Sequence, residues 1–144
     1  MEAQNYANHR RYVPLYHGLL SFLLIITFIG SLVNTYLSFG DHQRIYSASL
    51  ITVLTFCGLI QCWYSRVFAT RVQDRAIRAE ENLRHFVMTG KLFDPNIRMG
   101  QIVALRFASD EEFLILAKRA VEENLSREDI KKAIKTWRAD HHRA

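Results

Sequence analysis

The sequence predicts an all-α protein: a transmembrane helical hairpin, a long juxtamembrane helix and a small cytoplasmic three-helix module. Three observations carry that prediction. Two long stretches contain no Asp, Glu, Lys or Arg, the charges gather behind them, and the 144 residues hold only two prolines. Mean hydropathy is −0.06, but as the average of unlike halves. Residues 1–65 carry five charges and the 79 from Arg66 onward carry 28, sixteen basic and twelve acidic. The aliphatic and aromatic content excludes a random coil, and the length excludes a multidomain enzyme.

Residues 12–40 form one uncharged stretch of 29 residues and 45–65 another of 21; about 20 suffice to cross a bilayer as a helix. The first follows Arg10 and Arg11, as a secretory signal would, but it is longer than the roughly 7–15 residues of a signal core and lacks a small-residue cleavage site. Pro14 suits a first helical turn. Only residues 41–44 lie between the spans, which leaves an antiparallel hairpin. Near the span ends, Arg10, Arg11, Arg66, Arg71, Arg75, Arg78 and Arg84 stand against Arg44 alone, so both termini are expected in the cytoplasm. Tyr6, Tyr12, Tyr16, Tyr36, Phe39, Tyr46, Trp63 and Tyr64 fall where interfacial rings anchor a span.

Small and polar residues recur at helical spacing in both spans: Thr27, Gly30, Ser31, Asn34 and Ser38 in the first, Thr52, Thr55, Gly58, Cys62 and Ser65 in the second. Such residues permit close helix approach in lipid. The stripes are expected to face each other, with Gly30, Asn34, Thr55 and Gly58 as hairpin-packing residues. Asn34 also admits a transport reading, yet two helices enclose no pore, so that reading needs an oligomer or a larger partner. His17 reads as an interfacial residue. Cys57 and Cys62 point about 140° apart on one helix and read as packers.

No Gly or Pro interrupts Leu59 to Thr89, so the second span is expected to continue as a cytoplasmic stalk, 66–90, capped by Gly90. Its apolar residues narrow to Phe68, Val72, Ala76, Ala79, Leu83, Phe86 and Val87, one face of a helix. That seam needs a cover: the remaining residues folding back, the membrane surface, or a second copy in a coiled coil. Folding back, or adhering to the membrane surface, is the expectation over a coiled coil.

A turn at Asp94-Pro95 precedes the module, 91–144. Its helices are expected at about 98–107, from a capping box at Ser109 with Glu112, and from a second box at Ser126 with Asp129. The last is expected to present Ile130, Ala133, Ile134 and Trp137 together. Asp110, Glu111 and Glu112 are read as helix-start acids rather than as a catalytic or metal cluster, and His141-His142 as a weak metal signal. Arg66, Arg71, Arg75, Arg78, Lys131, Lys135 and Arg138 form the candidate surface for anionic lipid or a protein partner. A basic helix after a turn also fits a helix-turn-helix, without the aromatic interleaving or glycine-rich cradle that nucleic acid would favour.

QNYANHRRYVPLYH, VQDRAIRAEENLR, QIVALRFASDEEF and SREDIKKAIKTWRADHHR, in that order, resemble a bacterial family of two-span membrane proteins of unknown function, about 145 residues long. The resemblance covers nearly the whole chain and implies no reaction; some such proteins carry a transporter-permease label that two spans do not justify. The sequence departs from the family at residues 94–100, where Leu-Thr-Pro-type helix-start chemistry is expected. The reading is therefore a non-enzymatic interaction or accessory subunit of the bacterial inner membrane, with a 1–11 cytoplasmic tail. Its expected partners are the bilayer and a protein or second copy. No catalytic residue, cofactor or metal is expected, and nucleic acid is not an expected partner. The alternatives are an oligomeric or accessory transport component and a membrane-tethered nucleic-acid binder.

Overall fold

A computed structural model describes residues 4–8 and 12–140, and the expectations placed on Arg10, Arg11, His141, His142 and Arg143 fall outside them. Among the described residues the structure is all-helical apart from one isolated bridge, Ala108 to Trp137. The helices are α1 (Ser21–Leu37), α2 (His42–Thr89), α3 (Met99–Leu105), α4 (Asp110–Glu122) and α5 (Arg127–Ala133). The chain divides into two compact units, Tyr12–Ala69 and Thr70–Ala144, the latter taking in the described N-terminal residues.

Two helices are long and apolar enough to cross a membrane. The first, Pro14–Leu37, opens as a π-helix over Pro14–Leu20 and becomes α1 at Ser21. Pro14 sits in its first turn as expected, while the wide turn has a local cause: the Ser21 hydroxyl donates to the Tyr16 carbonyl five residues back, at 3.0 Å. The Tyr16 hydroxyl donates to the Cys62 carbonyl. The second, α2, has 48 residues, more than twice what a span needs. With no Gly or Pro in its second half it continues without a break, and it ends at Gly90, whose φ of +72° is open to glycine at little cost.

Within Tyr12–Ala69 the hairpin seam follows a heptad. Ser21, Leu24, Phe28, Ser31, Thr35 and Ser38 are the half-buried or buried residues of α1, and Ile45, Ala48, Thr52, Thr55, Leu59 and Cys62 lie among those of α2. Both sets alternate steps of three and four, as knobs-into-holes packing requires. Hydroxyls join them: Ser31 to Thr55 at 3.2 Å, Thr35 to Thr52 at 2.8 Å, and Thr52 Oγ1 donating to the Ser31 carbonyl at 3.1 Å. Two of the four named packing residues therefore lie elsewhere. Thr55 is in the seam, and a Cβ on Gly58 would meet Leu24 Cδ2 at 3.2 Å, but Gly30 faces open space and Asn34 is exposed. The packed face of α1 is rotated from the small-residue stripe. Leu24 and Phe28 are apolar and so do not join a small-residue stripe, yet they fill the seam.

The second unit closes around α3, whose residues from Gln101 to Leu105 are all buried together with Phe107, Ala108, Phe113, Ala120 and Ile130. The buried Gln101 amide ties three segments: its Nε2 donates to the carbonyls of Ala120 (2.7 Å) and Leu125 (2.9 Å), and its Oε1 accepts from the Arg98 N–H (2.8 Å). The Arg98 bond starts α3 without the Leu-Thr-Pro pattern expected there. Ser126 and Asp129 form the predicted box. Ser109 and Glu112 do not: the Ser109 hydroxyl is buried without a hydrogen-bond partner, and the Glu112 carboxylate accepts from the backbone N–H groups of Lys135 (3.0 Å) and Thr136 (3.2 Å). Those bonds belong to a second departure. The last helix stops at Ala133, Ile134 turns extended, and the chain returns beside Ala108, with the Ser109 N–H on the Thr136 carbonyl and the Arg138 N–H on that of Phe107. Trp137 thus packs on Phe107, ring centres 5.1 Å apart, from a bridge and not from a helix.

Substitutions separate these roles. Gly58→Ile should destabilise the hairpin by about 1–3 kcal/mol through overpacking, and Gly30→Ile by less than about 1 kcal/mol, as measured by equilibrium unfolding in detergent. Ser126→Ala should cost about 1 kcal/mol. Ser109→Ala should cost nothing or stabilise, because it removes a buried, unpaired hydroxyl.

Candidate functional site

Of the basic residues singled out from the sequence, Arg66 lies in the Tyr12–Ala69 unit and the rest in the Thr70–Ala144 unit. Arg71, Arg75 and Arg78 are exposed on α2, and Arg66 is half-buried. Lys135 and Arg138 are exposed beyond the end of α5. Lys131 is 3% exposed, with Nζ 3.1 Å from Glu128 Oε1, so it is an internal ion pair and not part of a binding surface. This lysine holds the Glu128 carboxyl below the usual carboxylate range. The Tyr6 hydroxyl donates to Glu128 Oε2 at 3.1 Å, which takes Tyr6 out of the predicted aromatic belt and into the module. Gln4 is fixed in the same way: it accepts from the Asp140 N–H at 2.8 Å and donates to the Asp140 carbonyl at 3.2 Å.

Sequence reasoning missed the charged centre of this unit. Glu81 is 5% exposed, and Arg84 lies beside it. Arg84 Nη1 donates to Glu81 at 3.1 Å, Nε to Asp110 at 2.8 Å and Nη2 to the Ala108 carbonyl at 2.9 Å, while the guanidinium stacks 4.1 Å from the Phe113 ring centre. Arg138 Nη1 approaches Glu81 from the other side at 3.8 Å. Burial pushes the Glu81 carboxyl up and Arg84 opposes it; the hydrogen bond from Arg84 holds the exposed Asp110 carboxyl down. The clue available in the sequence was the i, i+3 spacing of Glu81 and Arg84, which gives no sign of burial.

A cleft of about 410 Å³ adjoins this centre, lined by Gln73, Glu80, Glu81, Arg106, Arg138 and Asp140 among others. Four of its five charged residues pair with one another, Arg106 with Asp140 at 3.3 Å and Arg138 with Glu81 at 3.8 Å. Two of the three acids at the start of α4 are likewise engaged, Asp110 by Arg84 and Glu112 by backbone N–H groups. Among the described residues no group of three His, Cys, Asp or Glu could hold a metal ion.

The apolar face read from the stalk is where the structure departs most from expectation. Val72, Leu83, Phe86 and Val87 are 68%, 62%, 49% and 76% exposed, and Ala76 and Ala79 are exposed too. The module does fold back on α2, but onto Ile77, Asn82, Arg84 and His85. Ile77 joins the core, Asn82 accepts from the Phe93 N–H at 3.1 Å, and the His85 ring lies 4.6 Å from that of Phe93. The apolar seam is therefore an exposed surface whose composition calls for a cover.

Arg84→Met keeps an aliphatic stem over Phe113 but strands Glu81 and the Ala108 carbonyl. It should destabilise by about 3 kcal/mol, whereas Glu81→Gln, which leaves Arg84 bound to Asp110 and Ala108, should cost less than about 1 kcal/mol. The Arg84→Met deficit should shrink as pH falls. Glu81, whose carboxyl is already raised, then takes up its proton, and the native protein loses the stabilisation from Asp110 as that depressed carboxyl is protonated. Thermal unfolding at neutral and acid pH reads both effects.

No curated protein and no solved structure matches the chain. A family of unknown function, DUF6526, matches residues 1–144, and the chain belongs to that family.

Proposed function

We propose that this chain is a non-enzymatic interaction or accessory subunit of the bacterial cytoplasmic membrane, anchored by the hairpin and offering the unit beyond it to a protein partner. The observation that carries the reading is a mismatch between composition and burial. In each of the two long helices only 6% of the most apolar 18-residue window is buried within the chain. A core helix of a water-soluble protein hides such a surface; a bilayer solvates it. Leu15, Phe22, Val53 and Leu54 are more than half exposed, and at about 25 cal/mol per Å² contact with water would oppose that arrangement strongly.

The excess of arginine outside the short connection favours cytoplasmic ends, and the Gln4 to Asp140 bonds accord with an even number of crossings. Exposed Asn34, beside the open Gly30, favours contact with another helix in lipid. The non-enzymatic part of the reading is supported by Asp110 and Glu112 at the start of α4, which are occupied in holding the module together.

Cysteine labelling in intact cells, with Cys57 and Cys62 changed to serine, tests the topology. Gln43→Cys should react with a membrane-impermeant maleimide from outside, and Lys118→Cys only after permeabilisation, with the chain resisting a carbonate wash. Release by carbonate, or labelling of Lys118→Cys from outside, would overturn the reading.

A further inference from the structure

We infer that the exposed seam of α2 is the contact face of a parallel coiled-coil dimer, its occupant a second copy of this chain. The inference rests on the membrane reading above for the direction of the two copies.

The spacing is that of a coiled coil. Val72, Ala76, Ala79, Leu83 and Phe86 follow one another in steps of four, three, four and three, so Ala76 and Leu83 take the a positions and Val72, Ala79 and Phe86 the d positions of a heptad. The f position, on the far side of the helix from this seam, falls at Glu81, which is 5% exposed because the module lies against it. Dimerisation draws on the exposed a and d residues, and folding back chiefly on Ile77, Glu81, Arg84 and His85 at the b, f and c positions, with Asn82 at g the module contact nearest the seam. Alanines at a and d let two helices approach closely, and Leu83 and Phe86 supply the larger knobs.

The flanking charges select the occupant and its direction. Arg75 and Glu80 stand at the g and e positions on either side of the central layers. Both are exposed, and among the described residues neither has an ion-pair partner within the chain. In a parallel dimer g of one helix meets e of the next heptad on the other, which is five residues on: Arg75 meets Glu80 of the second copy, twice by symmetry. No like-charged g and e pair arises along the seam. An antiparallel pair centred on the same residues brings Glu80 against its own counterpart instead. Two copies inserted in one membrane in the same orientation also present their α2 helices in parallel. The seam spans fewer than three heptads, which is short for free peptides, but confinement to a bilayer raises the effective concentration of the copies.

The test uses the full-length chain in native membranes, with Cys57 and Cys62 changed to serine. Val72→Cys should form a disulfide-linked dimer on mild oxidation and Arg78→Cys, at a c position, should not. Arg75→Glu and Glu80→Arg should each lower the Val72→Cys dimer at least about fivefold, and the two together should restore it. Absence of the Val72→Cys dimer, linkage only between Val72→Cys and Phe86→Cys chains, or failure of the double exchange to restore the dimer would each overturn the inference. Those results include the seam being covered by lipid or by another protein. Release by carbonate instead counts against the membrane reading, and the crosslink is scored separately from it.

Discussion

Arg84 is the side chain on which the Thr70–Ala144 unit depends. A buried carboxylate such as Glu81 is stable only beside a positive donor, and a guanidinium has enough donors to serve several acceptors from one place. Arg84 spends them on Glu81 in α2, Asp110 at the start of α4 and the carbonyl of Ala108, the residue that also bridges to Trp137. One side chain therefore fixes α2, α4 and the returning C-terminal segment to one another. Phe113 beneath it makes the arrangement dry on one side. The polar face of α2 is the docking face for this reason, although its sequence reads as a solvated one.

That inversion explains what the sequence reveals and what it hides. Helical spacing reports amphipathicity, so the seam from Val72 to Phe86 is legible; its partner is not, because spacing does not say which apolar face is covered within the chain. Ser126 and Ser109 head the same local pattern, and only the first forms its box. Glu112 is drawn away by backbone N–H groups 23 and 24 residues later, a long-range contact that a four-residue motif does not encode. The end of α5 was hidden in a similar way. Ile130, Ala133, Ile134 and Trp137 fit a helix, but the edge left by Phe107 and Ala108 takes Trp137 in an extended conformation. Lys131 looks like surface charge until Glu128 and Tyr6 are placed around it.

In the hairpin the composition of the second stripe carries the information, and that of the first does not. Thr52, Thr55 and Gly58 pack, because on α2 the small and polar residues coincide with a heptad. On α1 they fall on two neighbouring faces, and Ser31, Thr35 and Ser38 share the packed one with Leu24 and Phe28 while Thr27, Gly30 and Asn34 share the other. A hydroxyl in lipid gains from a partner hydroxyl. The pairs Ser31 with Thr55 and Thr35 with Thr52 set the rotation of α1 that small-residue spacing left open.

The two ends of the chain add a constraint that no local motif supplies. Gln4 and Asp140 exchange two hydrogen bonds, and Tyr6 reaches Glu128, so residues more than 120 positions apart in sequence hold one another in place. Cleavage after the first apolar helix, as for a secretory signal, removes Gln4 and Tyr6 and leaves Asp140 and Glu128 without them. The same contacts thus tie the described N-terminal residues to the Thr70–Ala144 unit rather than to the helix that follows them in sequence.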